Sequence, residues 1–122
     1  AVNTAIEDGI RLLLERYDLL EANYPTPGDA PHKLWGKLSF PLFYQADVLF
    51  VLRVLALLNR LDHPKAQPAL QWLADQRKAN GQWGGSSPYA SRTWKAIGNR
   101  EETPRWISLQ AAMILKQAGF EI

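Results

Sequence analysis

Val48-Leu49-Phe50-Val51-Leu52-Arg53-Val54-Leu55-Ala56-Leu57-Leu58 is apolar at every position except Arg53. The run is too short to cross a membrane as a helix. Its valines would suit a buried strand, but its length and leucine content favour a helix. A helix without a polar face must be enclosed by other protein. The apolar character extends on both sides and predicts a helix over 41–61, broken only by Gln45, Asp47, Arg53 and Asn59 before Arg60.

The flanking segments are of two kinds. Ahead of it, Ile6, Ile10, Leu13, Leu14 and Tyr17 recur at helical spacing, with Glu7, Asp8, Arg11, Glu15, Arg16 and Asp18 elsewhere on the wheel. That is an amphipathic outer helix. Thr4 and Glu7 have capping-box spacing, so it is expected to start at Thr4 and to end near Asn23, before the prolines at 25 and 27. Behind it, Asp62 can cap and Pro64 suits a first turn. Ala69, Leu70, Leu73 and Ala74 give a stripe expected to begin at 65–68, because Pro68 is disfavoured deeper inside, and to run to Lys78. A loop over 79–102 holds Trp83, Tyr89 and Trp94; long loops in compact domains are functional or packed by their own side chains. Thr103 as N-cap and Pro104 in the first turn open a fourth helix, apolar on several sides, that stops at Gly119.

The order is therefore amphipathic, enclosed, amphipathic, enclosed. Gly9-Ile10-Arg11-Leu12-Leu13-Leu14-Glu15 lies over Ala69-Leu70-Gln71-Trp72-Leu73-Ala74-Asp75 at an offset of 60, and Pro41-Leu42-Phe43 over Pro104-Arg105-Trp106 at 63. Each unit is a helical hairpin that cannot bury its own apolar face, so units must stack on neighbours. The fold class is all-α, as two hairpins, 1–61 and 62–122, of an α/α toroid rather than a four-helix bundle, in which every helix is amphipathic. The 122 residues are expected to form one helical domain that is a piece of a larger ring or that associates with a second copy. Phe50, Leu57, Ile107 and Ile114 are the flank residues that two hairpins alone leave without partners.

Composition sets the remaining bounds. A hydrophobic fraction of 47% with 21% charged residues is that of a globular chain. The net charge of +2 divides as 6 basic and 7 acidic residues over 1–61, and 8 basic and 5 acidic over 62–122. A nucleic-acid surface needs basic residues concentrated on one face, and nothing here supplies one. The absence of cysteine removes disulfides, thiolate zinc sites and cysteine nucleophiles, and fits a reducing, cytoplasmic compartment. The residues Ala1-Val2-Asn3-Thr4 lack the basic region and apolar run of a signal peptide, and no run is long enough to span a membrane. No cofactor motif is present.

Leu70-Gln71-Trp72-Leu73-Ala74-Asp75-Gln76 followed by Gly81-Gln82-Trp83 resembles the QW repeat of the terpenoid cyclase and protein prenyltransferase superfamily, with Gln76 one residue earlier than in the usual spacing. Ser39-Phe40-Pro41-Leu42-Phe43-Tyr44, Asp47-Val48-Leu49 and Pro104-Arg105-Trp106-Ile107-Ser108-Leu109 resemble the C-terminal part of bacterial toroid proteins of unassigned function, squalene cyclase-like and prenyltransferase-like. The resemblance implies an α/α toroid around an apolar cavity. Its chemistries do not transfer. The cyclase acid motif Asp-x-Asp-Asp has no counterpart, since Asp47, Asp62 and Asp75 stand alone, and prenyltransferase zinc needs a cysteine. Toroid glycosidases need two facing carboxylates, and the enclosed helices offer only Asp47. No catalytic residue is assigned.

Five residues are candidates for the cavity lining: Phe43, Tyr44, Asp47, Trp83 and Trp106. Each also has a structural reading. The resemblance implies that Trp83 and Gly81 tie a loop back to helix ends. Asp47, a charge on an enclosed helix, is expected to bond a neighbouring helix end, Arg53 or Arg105, because buried charges are paired. Phe43, Tyr44 and Trp106 are otherwise core. His32 and His63 stand beside prolines with no second ligand nearby, so no metal site is expected. Two functions follow: an isoprenoid-type enzyme or binder of an apolar small molecule whose other residues lie upstream, or a helical-repeat scaffold for a protein partner. Acidic clusters upstream separate the first from the second.

Overall fold

A computed structural model describes residues 1–16, 19–20, 32–42, 46–92, 94 and 99–122. Among these described residues there are four α-helices: α1 (Val2–Arg11), α2 (Val48–Leu57), α3 (Gln67–Asp75) and α4 (Glu102–Gln117). A π-helical turn, Leu12–Arg16, continues α1, and single 3-10 turns occupy Pro64–Ala66 and Ala90–Arg92. Among the described residues there is no β-sheet, only isolated bridges joining Ser39 to Ser86 and Arg77 to Trp83. The all-α expectation holds.

The helix boundaries depart from the sequence reading for local reasons. α1 starts at Val2, because the Ala5 N–H already bonds the Ala1 carbonyl at 3.1 Å. Glu7 cannot complete a capping box: its carboxylate pairs with Arg60 at 2.5 Å. The expected end of this helix near Asn23 lies outside the described residues.

α2 starts at Val48, not at Pro41. Asp47 is extended and its Oδ1 accepts the Phe50 N–H at 2.8 Å, which makes it the N-cap. α2 also ends early. Asn59 adopts a left-handed φ of 53°, the Asn59 N–H bonds the Ala56 carbonyl, and the Arg60 N–H bonds that of Leu55 at 2.8 Å. That is a Schellman ending, with asparagine in the place glycine usually takes.

Before α3, His63 rather than Asp62 does the capping, its Nδ1 accepting the Lys65 N–H at 3.2 Å. α3 stops at Asp75 because the chain turns there to bring Arg77 beside Trp83. Asn99, not Thr103, caps α4: its Oδ1 accepts the N–H groups of Glu101 and Glu102 at 3.0 and 2.6 Å. Thr103 is buried in the first turn and donates its hydroxyl to the Asn99 carbonyl at 2.9 Å. α4 closes as α2 does, with Gly119 at φ 86° and the Phe120 N–H on the Leu115 carbonyl at 2.9 Å.

The core is made where α2, α3 and α4 meet. Leu52, Leu55, Leu70, Leu73, Ile107 and Leu115 are fully enclosed there. α1 is peripheral, contributing Ile10 while Leu14 follows from the π turn. Ile107 and Ile114, expected to lack partners, are buried within this triangle. Leu57 and Phe50 do lie open, so α2 is not enclosed on all sides.

α2 and α4 run parallel. At one end, Gln117 donates Nε2–H to the Ala56 carbonyl at 2.8 Å. At the other, Phe40, next to the residue bonded to the α2 cap, stacks on Trp106 with centroids 5.4 Å apart. The two Schellman turns place Asn59 and Gly119 at matching helix ends, 60 residues apart in sequence, whereas the helix starts at Val48 and Glu102 are 54 apart. α3 is antiparallel to both, held by Gln67 to the Leu61 carbonyl at 2.8 Å and by Trp83 to the Leu73 carbonyl and the Ser108 hydroxyl.

Candidate functional site

The open face of the α2–α4 pair is built by two matching series. Phe50, Arg53 and Leu57 on α2, and Gln110, Met113 and Gln117 on α4, are each spaced three and four apart, so each lies on one side of its helix. Because the helices are parallel and in register, the two series lie side by side. Leu57 and Met113 are 75% and 63% exposed, and Phe50, Trp106 and Leu109 also reach solvent. Single exposed apolar residues need no explanation, but several on one face mark a contact or ligand surface. Between the helices runs a groove of about 200 Å³ with Arg53 and Leu57 on one bank and Met113 and Gln117 on the other.

The five candidate residues divide. Phe43 and Tyr44 lie outside the described residues. Trp106 is on the open face and stacks on Phe40. Asp47 and Trp83 are not on that face; they belong to the frame behind it.

Asp47 is 1% exposed and its carboxylate is fully used. Oδ1 caps α2, and Oδ2 accepts the Ser39 N–H at 2.9 Å, fastening the preceding loop to the helix start. Neither Arg53 nor Arg105 reaches it; Arg105 pairs with Glu102 at 2.8 Å. Burial pushes the carboxyl up from 3.8 to about 6, against the opposing pull of the N–H groups of Phe50 and Ser39.

Trp83 is 2% exposed. Its indole N–H donates to the Leu73 carbonyl at 2.6 Å, and Arg77 lies over the ring at 5.5 Å. Gly81, at φ 81°, makes the turn that returns the chain to α3. Gln76 is exposed, and its backbone N–H closes the helix.

Trp35 repeats the arrangement in the first hairpin. It is buried, its indole N–H bonds the Leu19 carbonyl at 2.9 Å, and its own carbonyl accepts from Val48 at the start of α2. Trp35-Gly36 followed by Ser39-Phe40-Pro41, set beside Trp83-Gly84 followed by Ser86-Ser87-Pro88, is the signal for this second tie. The two loops meet: the Ser86 N–H bonds the Leu38 carbonyl at 2.9 Å, and the Phe40 N–H bonds the Ser86 carbonyl at 3.0 Å.

His32 and His63 each turn Nδ1 to a backbone N–H two residues on, and no group of three metal-ligating side chains occurs among the described residues. No described helix is long and apolar enough to cross a membrane. No family model, curated protein or solved structure matches the chain.

Proposed function

We propose that the chain supplies two hairpin units, 1–61 and 62–122, of an α/α toroid of the terpenoid cyclase and protein prenyltransferase type. α2 and α4 are its inner helices, and their open face is one wall of a cavity for an apolar, isoprenoid-type ligand. The observation that carries this reading is the parallel, in-register pairing of α2 and α4 with α3 antiparallel to both. An up-and-down bundle has the same helix directions but sets its second and fourth helices diagonally across one closed core, whereas α2 and α4 pack directly on each other and leave an apolar face open. The twin tryptophan ties and the 60-residue period of the helix endings support the repeat. No catalytic set is proposed, because Asp47 serves as a cap and no second carboxylate joins it among the described residues.

Met113 is the sole methionine, so a chain labelled at the methionine methyl gives one resonance on the open face. Farnesol is expected to shift it saturably, and Leu57→Asp combined with Met113-neighbouring Leu109→Asp to abolish the shift. Sedimentation of the protein from its native source is expected to show a particle larger than one chain of 122 residues. A lone chain of that size with an unmoved methyl overturns the reading.

A further inference from the structure

We infer that the groove between α2 and α4 binds a single-chain amphiphile with one carboxylate head, the head on Arg53 and the tail between Leu57 and Met113. The inference rests on the open-face reading above, though not on closure of a ring.

Arg53 is the odd member of its helix, the one charge in an apolar run. It is exposed and lines the groove. Arg11, Arg60 and Arg105 have carboxylates within ion-pair distance, but among the described residues Arg53 has none. Among the described residues no aspartate or glutamate lines the groove to answer the guanidinium. Gln117 and Gln110 are already committed, their Nε2 groups donating to the carbonyls of Ala56 and Trp106 at 2.8 and 3.4 Å. The rest of the lining is hydrocarbon and thioether: Leu57, Met113 and, at the floor, the buried Ile114.

One planar cation beside an apolar trough complements one carboxylate carrying a tail. A diphosphate carries more charge than a single guanidinium neutralises, and among the described residues no second cation borders the groove. An acidic helix from a partner would bring several carboxylates to the same lone arginine. The trough is also narrow, as a groove between adjacent helices must be at interaxial distances of about 8–10 Å.

The methyl resonance of Met113 is the reporter, titrated with decanoate, decanol and decyltrimethylammonium below micelle-forming concentrations. Decanoate is expected to bind saturably and about fivefold more tightly than decanol, the size expected for a solvent-exposed ion pair. The ammonium amphiphile is expected to bind no better than decanol. In Arg53→Gln, an exposed substitution, decanoate is expected to weaken to the level of decanol while decanol is unchanged. Equal binding of decanoate and decanol to the unaltered chain overturns the head-group assignment and leaves the apolar wall standing. No shift with any amphiphile overturns both. An acidic amphipathic peptide that moves Met113 where decanoate does not assigns the face to a protein partner and also overturns the inference.

Discussion

The Leu38 carbonyl oxygen stands 2.5 Å from the point a Gly85 Cβ would occupy, and the Ile107 Cδ1 stands 2.1 Å from the same point. The loop of the second hairpin thus passes between the backbone of the first and a core side chain of α4. The Ser39–Ser86 bridge one residue on depends on that approach. Gly85→Ala is expected to destabilise the fold by about 1–3 kcal/mol in urea denaturation, the usual range for overpacking. Measured in an Ile107→Val background, which removes Cδ1 but leaves the carbonyl, the cost of Gly85→Ala should shrink without vanishing. A neutral Gly85→Ala would show that the two loops can separate freely.

Trp83 closes the end of α3. Trp83→Ala is expected to cost about 3–5 kcal/mol, as for other buried aromatics cut to alanine. Trp83→Phe keeps most of the packing and loses the bond to Leu73, so about 1–2 kcal/mol is expected. Chemical denaturation of the two variants checks both values. A Trp83→Phe variant as stable as the unaltered chain would mean that the indole N–H contributes nothing.

Asp47 gives a pH dependence of defined sign. Its carboxyl titrates at about 6 in the folded chain against 3.8 for the model compound. Between those values the folded state holds a proton that the unfolded chain has released. The contribution of this group to stability is therefore greatest below pH 4 and declines as pH rises through 6, by at most about 3 kcal/mol. Asp47→Asn has no such proton. The stability of the wild type minus that of Asp47→Asn should fall between pH 4 and pH 7, as measured by urea midpoints at matched ionic strength. Parallel pH profiles would contradict the assignment.

The helices themselves were legible from their apolar residues: α2 and α4 bury side chains against α3 and against each other, so these residues are not confined to one narrow stripe. Their starts were less so. Asp47 directly before Val48 is an ordinary N-cap signal, but Pro41 is an equally ordinary first-turn signal. What decides between them is tertiary: Ser39 donates to Asp47, and the Phe40 backbone and ring are committed to Ser86 and Trp106. The start of α1 likewise depends on Arg60, distant in sequence, which takes Glu7 away from the cap. At the site, Trp106 could be placed near the opening from its position alone. Asp47 and Trp83 could not be separated from cavity residues, because a buried charge and an aromatic beside a turn have the same signature in either role. Arg53 was visible as an interruption; only the register of α2 on α4 sets Met113 across from it.

The α2–α4 pair is fastened at both ends, by Gln117 to Ala56 at one and by Phe40 on Trp106 with the Ser39–Ser86 bridge at the other. Two rods pinned at head and foot cannot slide along each other, so the spacing between Arg53 and the far end of the trough is a fixed length. Accommodation of a longer or bulkier guest then falls to the side-chain torsions of Leu57 and of the unbranched Met113, which can swing without moving backbone. The frame acts as a gauge. Changing the side chain at 113 should reset the tail length it accepts, while leaving the fold untouched.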